Sequence, residues 1–146
     1  MKKIAILILV LMSATSCGTT SLYYWGYSMQ GASAYENLSY KRADKESPKS
    51  ICKVVEMYEN LLANPGGQRQ VPPPGICAEY AYMLLQSETM DIFYKNATPQ
   101  QISSFEKSIY GSSPFEKAVK LFEKEMDLYP ESAQFVLPLL NRLKSK

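Results

Sequence analysis

Three times in this 146-residue chain a Ser or Thr stands directly before a Pro, at Ser47-Pro48, Thr98-Pro99 and Ser113-Pro114. Each pair is a helix start. The hydroxyl accepts from an exposed first-turn amide, and proline takes the first helical position, where its missing N–H costs nothing. Gln101 lies three residues after Thr98 and Glu116 three after Ser113, the spacing of a capping box. Apolar stripes at helical period run behind these starts: Ile51, Val54, Val55, Tyr58, Leu61 and Leu62 after the first, and Phe115, Ala118, Val119, Phe122, Met126 and Tyr129 after the third. A short helix to about Tyr110 follows Thr98, and Glu116 and Lys120 pair at i, i+4 on the wet side of the last stripe. No period-two alternation persists anywhere, so the chain is predicted to be all-α.

The remaining segments fit the same pattern. Tyr24, Tyr27, Gly31, Tyr35 and Leu38 recur at helical spacing and predict a first helix over Tyr24 to Arg42. Asn64 to Gly67 stops the second helix, and Gln68 to Gly75, which contains VPPPG, is a stiff extended connector. Ile76, Tyr80, Met83 and Leu84 predict a helix running on toward Tyr94, and Ser132 to Lys144 predicts a last helix kinked or interrupted at Pro138. Glu116, Glu123, Glu125 and Asp127 alternate with lysines and read as a solvated face. A glycosidase pair would instead need two acids held across a cleft with one of them desolvated.

The chain has no histidine, which removes the usual general base and the commonest metal ligand. No catalytic residue, cofactor or metal is therefore expected. Of 16 Lys and Arg two are Lys2 and Lys3, leaving 14 basic against 14 acidic residues in the remainder, a balance with no electrostatic footprint for nucleic acid. Cys52 and Cys77 are an even pair. They would lie at opposite ends of antiparallel helices, although the connector is long enough to carry the chain back and permit a bridge. Unbridged, both would act as small buried apolar residues.

Met1-Lys2-Lys3 followed by nine apolar residues, Ile4 to Met12, is the pattern of a signal peptide and is too short to span a bilayer. Small residues Ser13 to Ser16 lead directly to Cys17, which resembles the lipobox of bacterial lipoproteins. That resemblance implies cleavage after residue 16, diacylglyceryl and fatty-acyl (palmitate) attachment at Cys17, and a body facing the periplasm from the outer membrane. The expected organisation is a leader over 1–16, a lipidated tether over 17–21 and one helical domain over 22–146.

The segment EKAVKLFEKEMDLYPES, Glu116 to Ser132, resembles the second helix of a tetratricopeptide repeat, with Ala118, Phe122 and Pro130 at the repeat's spacing. Its mate would be the helix around Glu79 to Tyr82, with Ala81 at the close-packing position. Two features depart from the repeat: Ser87 to Ser112 intervene where a tight turn is usual, and Glu125 stands where Ala is preferred. LYYWGYS, VPPPGICAEYAYMLL and FEKAVKLFEKEMDLYPESAQF together resemble an uncharacterised family of bacterial lipoproteins carrying domain of unknown function 4810. That resemblance implies irregular tetratricopeptide-like hairpins and a neighbouring partner similar to the curli secretion pore lipoprotein, and it implies no reaction.

The expected function is a non-enzymatic scaffold or accessory subunit of an envelope assembly. A cell-wall-acting enzyme or cell-wall-binding module is the alternative. Tyr23, Tyr24, Trp25 and Tyr80 are the candidate partner-binding residues, with packing between the first helices as the competing role for Trp25. Two facing acids in a deep pocket would favour the enzyme, and a shallow Tyr-lined groove the scaffold.

Overall fold

The computed structural model describes residues 20–29 and 31–145, so the leader, Cys17 and the start of the tether lie outside the described residues. Helix α2, Pro48–Ala63, is its centre. Ser47 caps it, its hydroxyl accepting from Ser50 N at 3.2 Å, and Pro48 occupies the first position. Eight apolar side chains of α2, from Ile51 to Leu62, are buried, the six of the predicted stripe with Cys52 and Met57 beside them. The breadth follows from its neighbours. Helix α1 (Ala34–Asp44), α3 (Ile76–Leu84), α4 (Ser87–Asn96) and α5 (Pro99–Glu106) all pack against α2.

The most extensive helix contact joins α3 to α6, Pro114–Leu128, and the pair is antiparallel because Glu125 near the end of α6 meets the start of α3. Ala81 and Ala118 have no exposed surface. A 3-10 turn, Pro130–Ser132, leads to α7, Ala133–Lys144, which buries Val136 and Leu140 against the rest. The only strands among the described residues are two-residue segments, β1 (Ser28–Met29) and β2 (Ala32–Ser33), paired antiparallel with Ser28 opposite Ser33. The fold is all-α as the sequence predicts. No helix among the described residues is long and apolar enough to cross a membrane.

Three expectations are corrected. The first helix starts at Ala34 instead of Tyr24, because Ser33 and Glu36 close a capping box there: Ser33 Oγ accepts from Glu36 N at 3.2 Å while Glu36 Oε2 accepts from Ser33 N at 2.7 Å. Upstream the chain folds back through the β1–β2 pair, and before it Gly26, at φ +85, is pressed so closely on Ala34 that a Cβ there would come within 2.6 Å of the Ala34 Cβ. The helix from Ile76 stops at Leu84 and restarts at Ser87. Gln86 is extended at ψ 100, its carbonyl already accepting from Met90 N. Lastly, Phe115 is 53% exposed. The buried face of α6 is rotated from the predicted stripe and runs through Lys117, Ala118, Leu121, Phe122 and Glu125.

Other expectations hold. The Thr98-Gln101 box and the Ser113 cap are formed, and Glu116 pairs with Lys120 at 2.8 Å in the open. Cys52 and Cys77 are free and buried. The interruption expected as one outcome at Pro138 does not occur: the proline lies on the exposed side of α7, and the helix runs through it from Ala133 to Lys144.

Candidate functional site

Among the described residues, charges enter the interior at two places. Lys117 has no exposed surface. Its ammonium donates to Glu59 Oε1 at 2.6 Å and to the Phe105 carbonyl at 2.7 Å, and lies 3.6 Å from the centre of the Phe105 ring. Tyr80 OH donates to the same Glu59 oxygen at 2.5 Å. Burial pulls the Lys117 pKa down against the pull of Glu59, and pushes the Tyr80 hydroxyl well up. The cluster ties α2, α3, the end of α5 and α6 together. Tyr80, a candidate partner-binding residue from sequence, is thereby corrected: with 0% exposure it contacts the core and nothing outside it.

Glu125 occupies the second place. The capping position before helix α3 is Gly75, which has no side chain to serve as a cap and follows prolines that supply no donors. Glu125 reaches across from α6 and accepts from Gly75 N at 2.8 Å and Ala78 N at 3.4 Å, with the Cys77 amide adding to them. Burial raises the carboxyl pKa and these amides hold it down. The solvated-face reading stands for Glu116 and Asp127 and for the half-buried Glu123 bound to Lys144 at 2.7 Å, and is overturned for Glu125.

The aromatic segment after residue 20 lies as an extended arm across the loop that follows α2. Gln68 N donates to Ser21 O and Arg69 N to Leu22 O, each at 3.1 Å, and Gln68 Nε2 donates to Thr20 Oγ1 at 2.6 Å. Gly67, at φ +73, lets the strands approach this closely: a Cβ there would stand 2.7 Å from Leu22 O. Tyr23, Tyr24 and Trp25 are each half-buried by this docking. Tyr23 OH accepts from Arg69 at 2.7 Å and its ring meets Tyr129 edge-on at 6.3 Å, while Tyr129 OH donates to Pro72 O at 2.5 Å. Trp25 packs on Tyr35 at 5.2 Å and its carbonyl accepts from Tyr35 N at 3.2 Å. Through Tyr58, 6.5 Å from Tyr35 and stacked 4.8 Å from Tyr80, the aromatic contacts reach the Lys117 cluster.

Between this arm, α1 and α2 runs a groove of about 530 Å³. Its floor is apolar, made by Ala34, Leu38, Met57 and Leu61, and Tyr24 and Tyr27 form one wall. Tyr27 is 67% exposed. Along the rim stand the amides Asn37, Asn60 and Asn64 with Lys41, Lys53 and Glu56. Of the candidate residues named from sequence, the groove takes Tyr24, while Tyr23 and Trp25 hold the arm in place behind it. The groove residues of α1 and α2 were missed. Their signal was present in the exposed asparagines and lysines flanking the buried stripe, a pattern that most helices share.

A second, open depression of about 380 Å³ is lined by Ser39, Arg42, Glu46, Tyr58 and Glu79. Glu79 Oε2 accepts from Tyr35 OH at 2.7 Å, which together with burial pushes that hydroxyl up to about 12. Glu46 is 60% exposed and pairs with Arg42 at 3.5 Å. Both acids are exposed to solvent. Among the described residues no group of three or more His, Cys, Asp or Glu is placed to hold a metal.

A scan against protein-family models, a search of curated proteins and a search of solved structures each found no match.

Proposed function

We propose that this protein is a lipid-anchored scaffold or accessory subunit of an envelope assembly, and that the groove between the arm, α1 and α2 receives a segment of a partner protein. The observation that carries the reading is the groove's make-up. An apolar floor of side chains already fixed in the core gives an anchor pocket, and exposed Tyr27 with a rim of amides and mixed charge gives orientation, as peptide grooves do. Two further facts support a non-enzymatic role. The deeply buried carboxylates Glu59 and Glu125 are already bound to Lys117 and Tyr80 and to the α3 amides. The acids of the open depression face water.

In this reading Cys17 carries the lipid, the outer membrane is the anchoring surface and the body faces the periplasm, on the strength of the leader and lipobox alone. The α3–α6 pair is one degenerate tetratricopeptide-like hairpin, supported by its antiparallel packing through Ala81 and Ala118 and by Pro130 after the second helix. A lipoprotein similar to the curli secretion pore is the first partner to test. The cell-wall-binding alternative draws on the same site, because an exposed tyrosine beside asparagine amides also suits a glycan strand.

A photo-crosslinking amino acid at Asn60, inside the groove, and another at Glu88, on α4, separate these readings in living cells. The scaffold reading expects a discrete protein adduct from Asn60 alone, lost with Tyr27→Ala. A peptidoglycan adduct from Asn60 would turn the assignment to the wall, and identical adducts from both positions would refute the groove.

A further inference from the structure

The lipid-anchor reading and the docked arm have a joint geometric consequence. Thr20 is already pinned to the body through Gln68, and Cys17 is only three residues before it. Three residues reach at most about 10 Å even when fully extended. We infer that the end of the domain formed by Thr20 to Leu22 and the loop Gly66 to Gln70 faces the membrane and rests on phospholipid headgroups. The inference rests on lipidation of Cys17 and adds to it an orientation.

The surface of this end suits the contact. Leu22 is 51% exposed, and Gln68, Arg69 and Gln70 all face solvent. Residues 20–29 of the arm and 64–75 between α2 and α3 contain no Asp or Glu, so backbone, amides, tyrosines and the Arg69 guanidinium are what a phosphate-bearing layer would meet. Glu131, in the turn after α6, is the carboxylate close enough to act on Arg69 and Tyr23. Helix α2 ends at this loop and begins, at Pro48, about 22 Å away along its axis, from its rise of about 1.5 Å per residue. The groove is lined by α2 residues from Lys53 to Leu61 and by Asn64 just beyond its end, with Tyr24 and Tyr27 of the arm as one wall.

The test uses the lipidated full chain in phosphatidylethanolamine and phosphatidylglycerol vesicles, with a fluorophore on a single introduced thiol at Gln70→Cys or Lys49→Cys and a quencher on the lipid headgroups. The native Cys52 and Cys77 are buried, and burial pushes the Cys77 thiol up to about 12, so neither competes for the label. The expected result is several-fold stronger quenching at position 70 than at 49. Inserting ten Gly/Ser residues between Gly18 and Thr19 leaves the folded body untouched, extends the reach to about 45 Å and should collapse that contrast. Equal or reversed quenching in a chain whose mass shows the lipid overturns the orientation alone, as does a contrast that survives the spacer. A mature protein whose mass lacks the lipid overturns the anchor reading and the orientation with it.

Discussion

Replacing Glu125 by Ala separates two opposite views of the same residue. On a solvated helix face the change would be near neutral, within about 0.5 kcal/mol, and Ala would even favour the helix. In the structure Glu125 is 2% exposed and accepts the first-turn amides of α3 that have no other cap, Gly75 N at 2.8 Å and Ala78 N at 3.4 Å. Loss of a cap costs about 0.5–2 kcal/mol, and each buried donor left without a partner adds about 1–3 kcal/mol. With partial relaxation the expected loss is about 3–4 kcal/mol. Glu125→Gln keeps an acceptor oxygen and gives up a charge that burial already disfavours, so it should lose about 1–1.5 kcal/mol, the difference between a hydrogen bond to a charged group (about 1.5–3 kcal/mol) and a neutral one (about 0.5–1.5 kcal/mol). Glu123→Ala, on the neighbouring half-exposed site, should cost no more than about 1 kcal/mol. Urea unfolding followed by circular dichroism measures all three, with an unchanged denaturant slope as the sign that only stability has moved. A loss below about 1 kcal/mol for Glu125→Ala would show that the α3 amides find water or another acceptor, and would refute the cross-helix cap.

Lys117→Met should destabilise by about 3–5 kcal/mol by leaving the Glu59 carboxylate buried without its cation, and adding Glu59→Gln should recover much of that loss in the same urea assay; no recovery would show that packing of the lysine stem dominates. Above pH 10 the fold should unfold as tyrosines ionise. Burial raises Tyr35, Tyr58, Tyr80 and Tyr129 above the ordinary value of 10.0, so their contribution is complete below that pH and lost as pH rises. Lys117, lowered from 10.5, works in the opposite direction over the window below 10.5, and four hydroxyls outweigh one ammonium. Tyrosinate absorbance and helical dichroism should change together, and full ionisation with helicity intact would contradict the buried hydroxyls. Gly67→Val, which drives a side chain into the Leu22 carbonyl, should release the arm and shift the emission of Trp25, the chain's one tryptophan, to the red; unaltered emission would mean the arm is not held by that approach.

The sequence made the helix starts legible because each is decided within four residues. Ser47, Thr98 and Ser113 cap as their neighbours dictate, and the buried stripe of α2 follows from its spacing alone. The arm was misread because Tyr24, Tyr27, Gly31, Tyr35 and Leu38 keep helical spacing by coincidence, while the deciding contacts come from Gln68 and Arg69, more than 45 residues on. The break at Gln86 likewise carries no Pro or Gly to announce it. In the candidate groove only Tyr24 was foreseen, since a groove arises from the angle between two helices and an arm, and no local pattern encodes that angle.

Glu125 and the long segment inserted between α3 and α6 are the places where the structure keeps its buried charge. Helix α5, within the insertion, ends by offering the Phe105 carbonyl and ring to Lys117, and α2 offers Glu59 from the other side. An ordinary tight turn would leave the start of α6 open to water, and a lysine there would need no partner. Covering it with inserted helices removes that water, so the lysine must be matched by a carboxylate, and the carboxylate by Tyr80. The same holds at the opposite end of the hairpin. The VPPPG connector delivers α3 without a capping side chain, and the amides it leaves bare are met by the one α6 residue that faces them, Glu125. Each polar requirement is thus met from another element, which ties the connector, the segment between α3 and α6, and α2 to the α3–α6 pair, while the face that α2 turns toward α1 and the arm forms the groove.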